Sequence, residues 1–437
     1  MIKLIRLMTL APGHFHAALV QRQMLPNIHP RVYVYGPLDD DLLQHLERIR
    51  AFNTRPMNPT AWELDVRVGH QFFERFLREQ PGNVVVLAGR NRPKIDLMRT
   101  CVAHNLCVLA DKPWVIDPDD FPKLVELFRE ADVREVVVGD VMTERFEVTT
   151  VLQRELMHTP AVFGEIVAGT ENNPGLLLES THYLKKQVNG VPLRRPAWWF
   201  DPAEAGDALA DVGTHLADLA FWLLFPEQPI DYTQDVRVID ADRWPTPVDR
   251  DMFRAVTGLP DFPPHLDAKW VSGGILRYFG NGRVCFSVRG VTVRLTVLWD
   301  LEADHPGGDT HEAVACGTRA TITISPEPTN RHQPGLVVTP TDPTTHAAIL
   351  TAIREKCANW QSEYPGIAAE DQGQRVRIHI PDACRTSHED HFTEVLRKFI
   401  QYVQFPRSIP EWERTNLLAR YYVTTRATAI ARRKTDG

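Results

Sequence analysis

Three short runs, "NVVVLAG", "CVLADKP" and "REVVVGDV", each hold an uninterrupted apolar stretch, VVVLA, CVLA and VVV. A strand with one face in water alternates polar and apolar residues, so a strand without that alternation has to be covered on both faces. Each run follows a segment with helical spacing: "QFFERFLREQ", "KIDLMRTCVAHN" and "DDFPKLVELFREA". The chain opens in the same rhythm, with "IKLIRLMTL", a helix through "HAALVQRQM", "RVYVY", and a helix through "DDLLQHLERIRAF". Alternating buried strands and helices predict a doubly wound parallel sheet with helices on both faces over residues 1–140, the α/β architecture of nucleotide-binding domains.

Beyond about Met142 the strands follow one another with turns between them, as in "AVFGEIVAG", "GGILRYFGNGRVCFSVRG", "VTVRLTVLWDLE", "RATITIS" and "RVRIHIP". This predicts a second domain over 141–437, α+β in class, with a large, mostly antiparallel open sheet. Here "GNGR" reads as a hairpin turn between "ILRYF" and "VCFSV". The proline-rich stretches "DRWPTPVDRDMFRAVTGLPDFPPHL" and "SPEPTNRHQPGLVVTPTDPTTH" read as surface loops. "HFTEVLRKFIQYV" and "ERTNLLARYYVTTRATAIARR" read as helices.

A chain of 437 residues, 43% hydrophobic and 24% charged, has ample core and no disorder signature. Its net charge of -7 leaves no basic footprint, which argues against nucleic acid and against an anionic membrane surface as partners. A small molecule is the expected ligand. The six cysteines form no CxxC pair, so they read as reduced core residues of a cytoplasmic protein. No apolar run reaches the roughly 18 residues of a membrane helix, and "MIKLIRLMTLAPG" reads as a first strand rather than a signal peptide.

Three constellations carry candidate chemistry. In "GDALADVGTHLADLAFWLL" a helical wheel puts Val212, Leu216, Leu219 and Leu223 on one stripe and Asp211, His215 and Asp218 on another. A carboxylate four residues before a histidine can tune it as a general base; a structural polar helix is the commoner reading of such a pattern. In "VLADKPWVI", Lys112 follows a predicted parallel strand, whose carboxyl end faces the ligand crevice, although most such lysines are solvated loop residues. In "TLAPGHFHAALV", Gly13 lies where a dinucleotide fold carries its glycine turn, while Ala11 and His16 stand where further glycines are expected. His14 and His16 offer two metal ligands without an identifiable third, and no metal is expected.

In this order the three sites resemble the Gfo/Idh/MocA family of NAD(P)-dependent oxidoreductases. "APGHFHA" stands in place of the family's glycine turn, "ADKPW" of its Glu-Lys-Pro motif, and "GDALADVGTHLADLAFWLL" of its GGGxxxDxGxHxxD helix. "GEI" at 164–166 and "RPAWWFDP" also fall at matching positions. The resemblance runs from residue 1 to about 225 and implies a Rossmann-type first domain. By it, Lys112 polarises the reacting oxygen, His215 is the acid/base, and Asp211 orients His215 or a substrate hydroxyl. Ala11, Gly13, His14, Phe15, Gly89, Asn91, Asp111 and Trp199 contact NAD or NADP. Lys112, His182 and Trp198 contact substrate, with Glu179 and Lys185 nearby in the same segment, and Asp218 anchors structure. An exposed sheet face implies a homo-oligomer, a dimer or tetramer.

The sequence departs from the family at several places. After the second predicted strand comes Tyr35-Gly36, with Asp39 only later, which leaves NAD and NADP both open. The loop after "NVVVLA" reads Gly89-Arg90-Asn91-Arg92-Pro93-Lys94, without the family's threonine and histidine. The expected activity is hydride transfer between nicotinamide and a secondary alcohol of a sugar, cyclitol or derivative. Two alternatives stand beside it: glycoside cleavage through transient oxidation in the same fold, and non-catalytic sugar sensing.

Overall fold

In the computed structural model, which describes residues 4–188, 191–304, 308–327 and 332–436, the chain forms two compact units. The first comprises Met1–Thr143, Arg195–Gly206 and Ser387–Glu411, and the second the remainder. Two late segments thus return to the nucleotide-type unit, which strand-helix rhythm does not reveal.

The first unit is built on six parallel strands: β1 (Leu7–Leu10), β2 (Arg31–Gly36), β3 (Glu63–Val68), β4 (Val84–Leu87), β5 (Cys107–Ala110) and β6 (Val138–Asp140). Their order is β3-β2-β1-β4-β5-β6, so the doubly wound parallel sheet expected from the sequence is present. β1, β4 and β5 are buried throughout, the reason their sequences lack alternation. Helix α1 (His16–Leu19) is shorter than expected: the N–H groups of Gln21 and Arg22 reach back to Ala18 and Leu19, and the chain tightens into turns. Helices α2 (Asp40–Thr54), α3 (Phe72–Glu79), α4 (Lys94–Ala103) and α5 (Phe121–Arg134) make the crossovers. Asp39 caps α2 by accepting the N–H of Leu42 at 3.0 Å.

The second unit carries a ten-stranded sheet with the path β10-β12-β13-β7-β14-β15-β16-β18-β17 and β11 beside β12. The strands are β7 (Leu176–Lys185), β10 (Val236–Val248), β11 (Val271–Ser272), β12 (Ile275–Val288), β13 (Val291–Glu302), β14 (Thr310–Cys316), β15 (Ala320–Glu327), β16 (Gln333–Pro340), β17 (Ala368–Asp371) and β18 (Val376–His379). β8 (Gln187–Val188) and β9 (Val191–Pro192) pair apart from it. All pairings in the large sheet are antiparallel except β7 with β13, in line with the mostly antiparallel expectation. The helices of this unit are α6 (Val148–Met157), α7 (Val212–Leu224), α8 (Arg250–Thr257), α9 (Pro264–Trp270), α10 (His346–Trp360) and α12 (Glu411–Asp436, from Trp412 on). α11 (His388–Gln404) belongs to the first unit. No helix among the described residues is long and apolar enough to cross a membrane.

Three local expectations fail for physical reasons. "GNGR" is not a turn: β12 runs straight through it, because Gly280 lies against Trp299 and Gly282 against Leu209, where a Cβ would come within 2.9 Å and 2.8 Å. Asn281 between them bridges two strands, donating to Thr246 Oγ1 at 2.7 Å and accepting Trp299 N–H at 2.8 Å. The hairpin is made instead at Arg289-Gly290, both with positive φ. "AVFGEIVAG" makes only isolated bridges, since Gly164 and Gly169 turn the chain at φ 72° and 70°. The first proline-rich stretch holds the end of β10, α8 and α9 rather than a loop. β10 is an edge strand with a register shift between Trp244 and Thr246, and such an edge tolerates the missing N–H of Pro245. The second stretch likewise holds the end of β15 and all of β16, with 328–331 outside the described residues.

Helix α7 is buried along its whole length, which makes its central Asp218 a problem of charge burial. Arg145 grips the carboxylate through two bonds of 2.6 Å, and Arg420 adds one of 2.5 Å. Burial alone would raise the pKa of Asp218; the two guanidinium groups outweigh it and hold it at about 2. Asp218 is therefore the structural anchor that its sequence context suggested.

Replacing Asp218→Asn leaves two buried guanidinium groups without their common counter-ion and is expected to cost about 3–5 kcal/mol at pH 7 in urea unfolding. Because the folded value lies below an ordinary unfolded value of about 3.9, the ionic contribution is complete above about pH 4 and is lost as pH falls through 2. The stability gap between wild type and variant should therefore narrow from pH 4 downward; a constant gap would show that the pair is not ionic.

Candidate cofactor cradle and polar clusters

The sheet order of the first unit reverses between β1 and β4, and open sheets of this kind bind ligands outside the strand carboxyl ends at that point. The segments that leave those ends are 11–16, 37–41, 88–94 and 111–113. They approach one another closely. Gly89 lies so near the first turn that a Cβ would come within 2.3 Å of the Ala11 carbonyl oxygen, and Ala11 itself has φ 46°, the region glycine favours. A Cβ on Gly13 would lie 3.1 Å from Asp41 Oδ2 and 3.4 Å from both Gly89 Cα and the Trp198 ring. The glycine requirement has thus been divided between Gly13 and Gly89, on two different loops.

The N–H groups of Gly13 and His14 both donate to the Ala88 carbonyl, at 3.0 and 2.9 Å. They fasten the turn to β4 instead of pointing outward. His14 and His16 each donate an Nδ1–H to one oxygen of Asp111, at 2.8 and 2.9 Å. Asp111 is buried; its desolvation is outweighed by the two imidazoles, and its carboxyl is held well below the usual range. Burial pushes His16 well below its ordinary value against the pull of Asp111, so His16 is neutral and donates its Nδ1–H. Phe392, on α11, closes over His16 with ring centroids 4.6 Å apart.

These three groups have ligand atoms within 4.8 Å of one another, so the third ligand missing from the sequence reading is Asp111. The surroundings nevertheless disfavour a divalent cation. Lys94, buried, donates to the Asp111 carbonyl at 2.7 Å and to Asn91 Oδ1 at 2.6 Å, and buried Lys112 follows Asp111 directly. Both are cationic side chains, which opposes a further cation beside them.

Asp41 is the residue of this cradle that sequence reasoning missed. It accepts the Trp198 indole N–H at 2.9 Å beside Gly13. Burial raises its carboxyl to about 6, with the indole N–H opposing. It lies in the acidic run Asp39-Asp40-Asp41 at the start of α2, where such residues usually just favour the helix dipole, and only the register after β2 distinguishes it. Lys94, which occupies the position of the family's histidine, has the positional signal but not the expected type.

Phe15 packs against His14 and His16. Asn91 donates to the Ala205 carbonyl at 2.7 Å, tying the loop after β4 to the segment 195–206. Lys112 is buried rather than solvated, at the start of a cis Lys112–Pro113 peptide. In the segment 195–206, Arg195 stacks on Trp199 at 4.4 Å, and Arg90 from the loop after β4 lies over Trp198 at 5.7 Å. In the second unit, Asp211 is the N-cap residue of α7 and His215 lies buried in its first turn. His182 stands on β7 with Glu179 and Lys185; it contacts Asp309 at 2.8 Å, and Lys185 pairs with Glu302. Asp207, just before α7, is buried with Arg243 at 3.4 Å and Thr428 at 3.2 Å, a second charge cluster that the sequence reading did not single out.

The sequence matches the family described as "Putative oxidoreductase C terminal domain" over residues 152–432. A search of the curated proteins finds no match. Among solved structures, "a putative oxidoreductase" from Parabacteroides merdae is 39% identical over 99% of this chain and 98% of its own, with a TM-score of 0.94. KijD10, a 3-ketoreductase from Actinomadura kijaniata in complex with NADP and TDP-benzene, is 14% identical over 97% of both chains, with a TM-score of 0.54. A "putative myo-inositol dehydrogenase" from Sinorhizobium meliloti is 11% identical over 98% of both, with a TM-score of 0.55. The last two share the fold, a Rossmann-type parallel sheet followed by a mostly antiparallel sheet, as the sequence led us to expect.

The packing of the two loops makes Gly89→Ala a sharp probe. The added methyl has to displace the Ala11 carbonyl, and overpacking of this kind costs about 1–3 kcal/mol. Urea unfolding should show a loss in that range; a variant as stable as wild type would mean that the loops do not meet as described.

Proposed function

The chain belongs to the family described as "Putative oxidoreductase C terminal domain", and from that premise we propose that this oxidoreductase transfers hydride between a secondary alcohol of a sugar, cyclitol or related polyhydroxylated molecule and NAD or NADP. The observation that carries the reading is the cradle at the β1–β4 reversal, where Gly13 and Gly89 keep side chains off the floor. Buried Lys94 and Lys112 make its surroundings suited to an anion, as a pyrophosphate would be. The NADP carried by KijD10 and the substrate named for the myo-inositol dehydrogenase support the same class of chemistry.

When bound, the nicotinamide supplies the hydride acceptor. In this reading Lys112 polarises the substrate oxygen, His215 takes the alcohol proton, and Asp211 at the helix start orients His215 or a neighbouring hydroxyl. Ala11, Gly13, His14, Phe15, Gly89, Asn91, Asp111 and Trp199 shape or support the cofactor side, and His182 and Trp198 the substrate side. Because Gly13 and His14 direct their N–H groups to Ala88, phosphate recognition falls to other groups in the cradle.

Asp41 sharpens the choice of cofactor. With a carboxyl at about 6 it is mostly ionised at pH 7, and a carboxylate there welcomes a ribose hydroxyl and repels a 2′-phosphate. NAD is therefore the expected partner. The cysteines described are all free thiols, which supports a cytoplasmic setting, and the open sheet of the second unit is the surface we assign to a homo-oligomer.

Initial rates against a sugar and cyclitol panel test the reading. His215→Ala and Lys112→Ala should keep the wild-type circular dichroism and lose about 10²–10⁴-fold in kcat; full rates in both would refute the assigned roles. The preference for NAD over NADP, read as a ratio of Kd values, should shrink as pH falls through about 6, where Asp41 loses its charge, and should be pH-independent in Asp41→Asn. A wild-type ratio that does not change with pH would remove Asp41 from cofactor selection.

A further inference from the structure

On the sheet of the second unit three side chains form a hydrogen-bonded chain through the two nitrogens of one imidazole. Ser180 Oγ lies 2.8 Å from His182 Nε2, and His182 Nδ1 lies 2.8 Å from Asp309 Oδ2. Ser180 and His182 are two residues apart on β7, so strand alternation puts them on one face. Asp309 lies immediately before β14, the neighbouring strand, and Trp299 is the cross-strand neighbour of His182 on β13.

Each part of the chain is fixed. The Tyr183 N–H donates to Asp309 Oδ1 at 3.2 Å, and Lys186 pairs with Oδ2. Burial would raise the Asp309 carboxyl, but His182 and Lys186 hold it well below the usual carboxylate range, so it is an ionised acceptor for the Nδ1–H. That tautomer turns the Nε2 lone pair towards Ser180. The His182 ring stacks on Trp299 at 4.9 Å with planes 24° apart, which sets its rotation. Directly across from Ser180 on β14 is His311, whose Nε2 is buried without a hydrogen-bond partner among the described residues.

We infer that Ser180, His182 and Asp309 are an acyl-transfer triad acting on small O-acyl esters. The same three residue types linked through the same ring nitrogens activate a serine hydroxyl in unrelated folds. Ser180 Oγ forms a bond to the ester carbonyl carbon as its proton passes to His182 Nε2; Asp309 stabilises the imidazolium. The bond between that carbon and the alkoxy oxygen breaks, and the departing alcohol takes the proton from Nε2. Water then adds to the acyl carbon, giving a proton to Nε2, and Ser180 Oγ leaves with that proton, releasing the carboxylic acid.

The chemistry needs no nicotinamide, so its test is independent of the hydride reading. Full-length protein is incubated with a fluorophosphonate probe and examined by intact mass and peptide mapping, and hydrolysis of p-nitrophenyl acetate is followed in parallel. The expected result is one adduct, on Ser180, absent in Ser180→Ala and formed about 10²-fold or more slowly in His182→Gln and Asp309→Asn, with unchanged thermal melts. In Asp309→Asn the low-field Nδ1 proton resonance of His182 should also disappear. Folded wild-type protein that gives no adduct on Ser180, or an adduct formed as fast in His182→Gln, overturns the inference.

Discussion

Asp111 sits without solvent between two imidazoles, and its position depends on that arrangement. A lone buried carboxylate would protonate or pull water inward; two N–H donors, with Lys94 bonded to the same residue's carbonyl, let it stay ionised. In return the carboxylate draws the turn after β1 onto the end of β5, while Ala88 holds the same turn to β4. The residues at which this chain departs from the family pattern meet one another in space. His16 fills a position expected to hold glycine, and the family's glutamate is shortened to aspartate at the residue His16 meets. Close backbone approach is then supplied by Gly89 instead.

The second unit solves a similar problem with guanidinium groups. Asp218 on the fully buried α7 is gripped by Arg145 and Arg420, and Asp207 before it meets Arg243 and Thr428. Arg420 and Thr428 both lie on α12, so the end of the chain is fastened beneath α7 by charge as well as by apolar packing. Breaking such pairs leaves a buried charge unpartnered, which makes the position of α7, and with it of Asp211 and His215, hard to alter.

The first sheet was readable because continuous burial of β1, β4 and β5 leaves a direct mark on composition. The polar character of α7 was readable too, and Asp218 in it is taken up by Arg145 and Arg420. What could not be read depends on contacts between residues far apart in the chain. The glycines of "GNGR" look like turn residues, but they exist to admit Trp299 and Leu209. Asp309 is 127 positions from His182, and Asp41 hides within an ordinary acidic helix start. Local pattern carries burial and period; it does not carry partner identity.

The account turns on whether the cradle at Gly13 admits a dinucleotide. Trp198 stands where a side chain on that glycine would meet it and bonds to Asp41, so its emission is placed to respond to occupancy. Titration of NAD into the full-length protein, followed by tryptophan fluorescence, should give saturable quenching that vanishes in Gly13→Val, whose side chain fills the cradle, and persists in His215→Ala. Absence of saturable binding by either NAD or NADP up to about 1 mM, a free energy near 4 kcal/mol, in a protein whose fold is intact would contradict it.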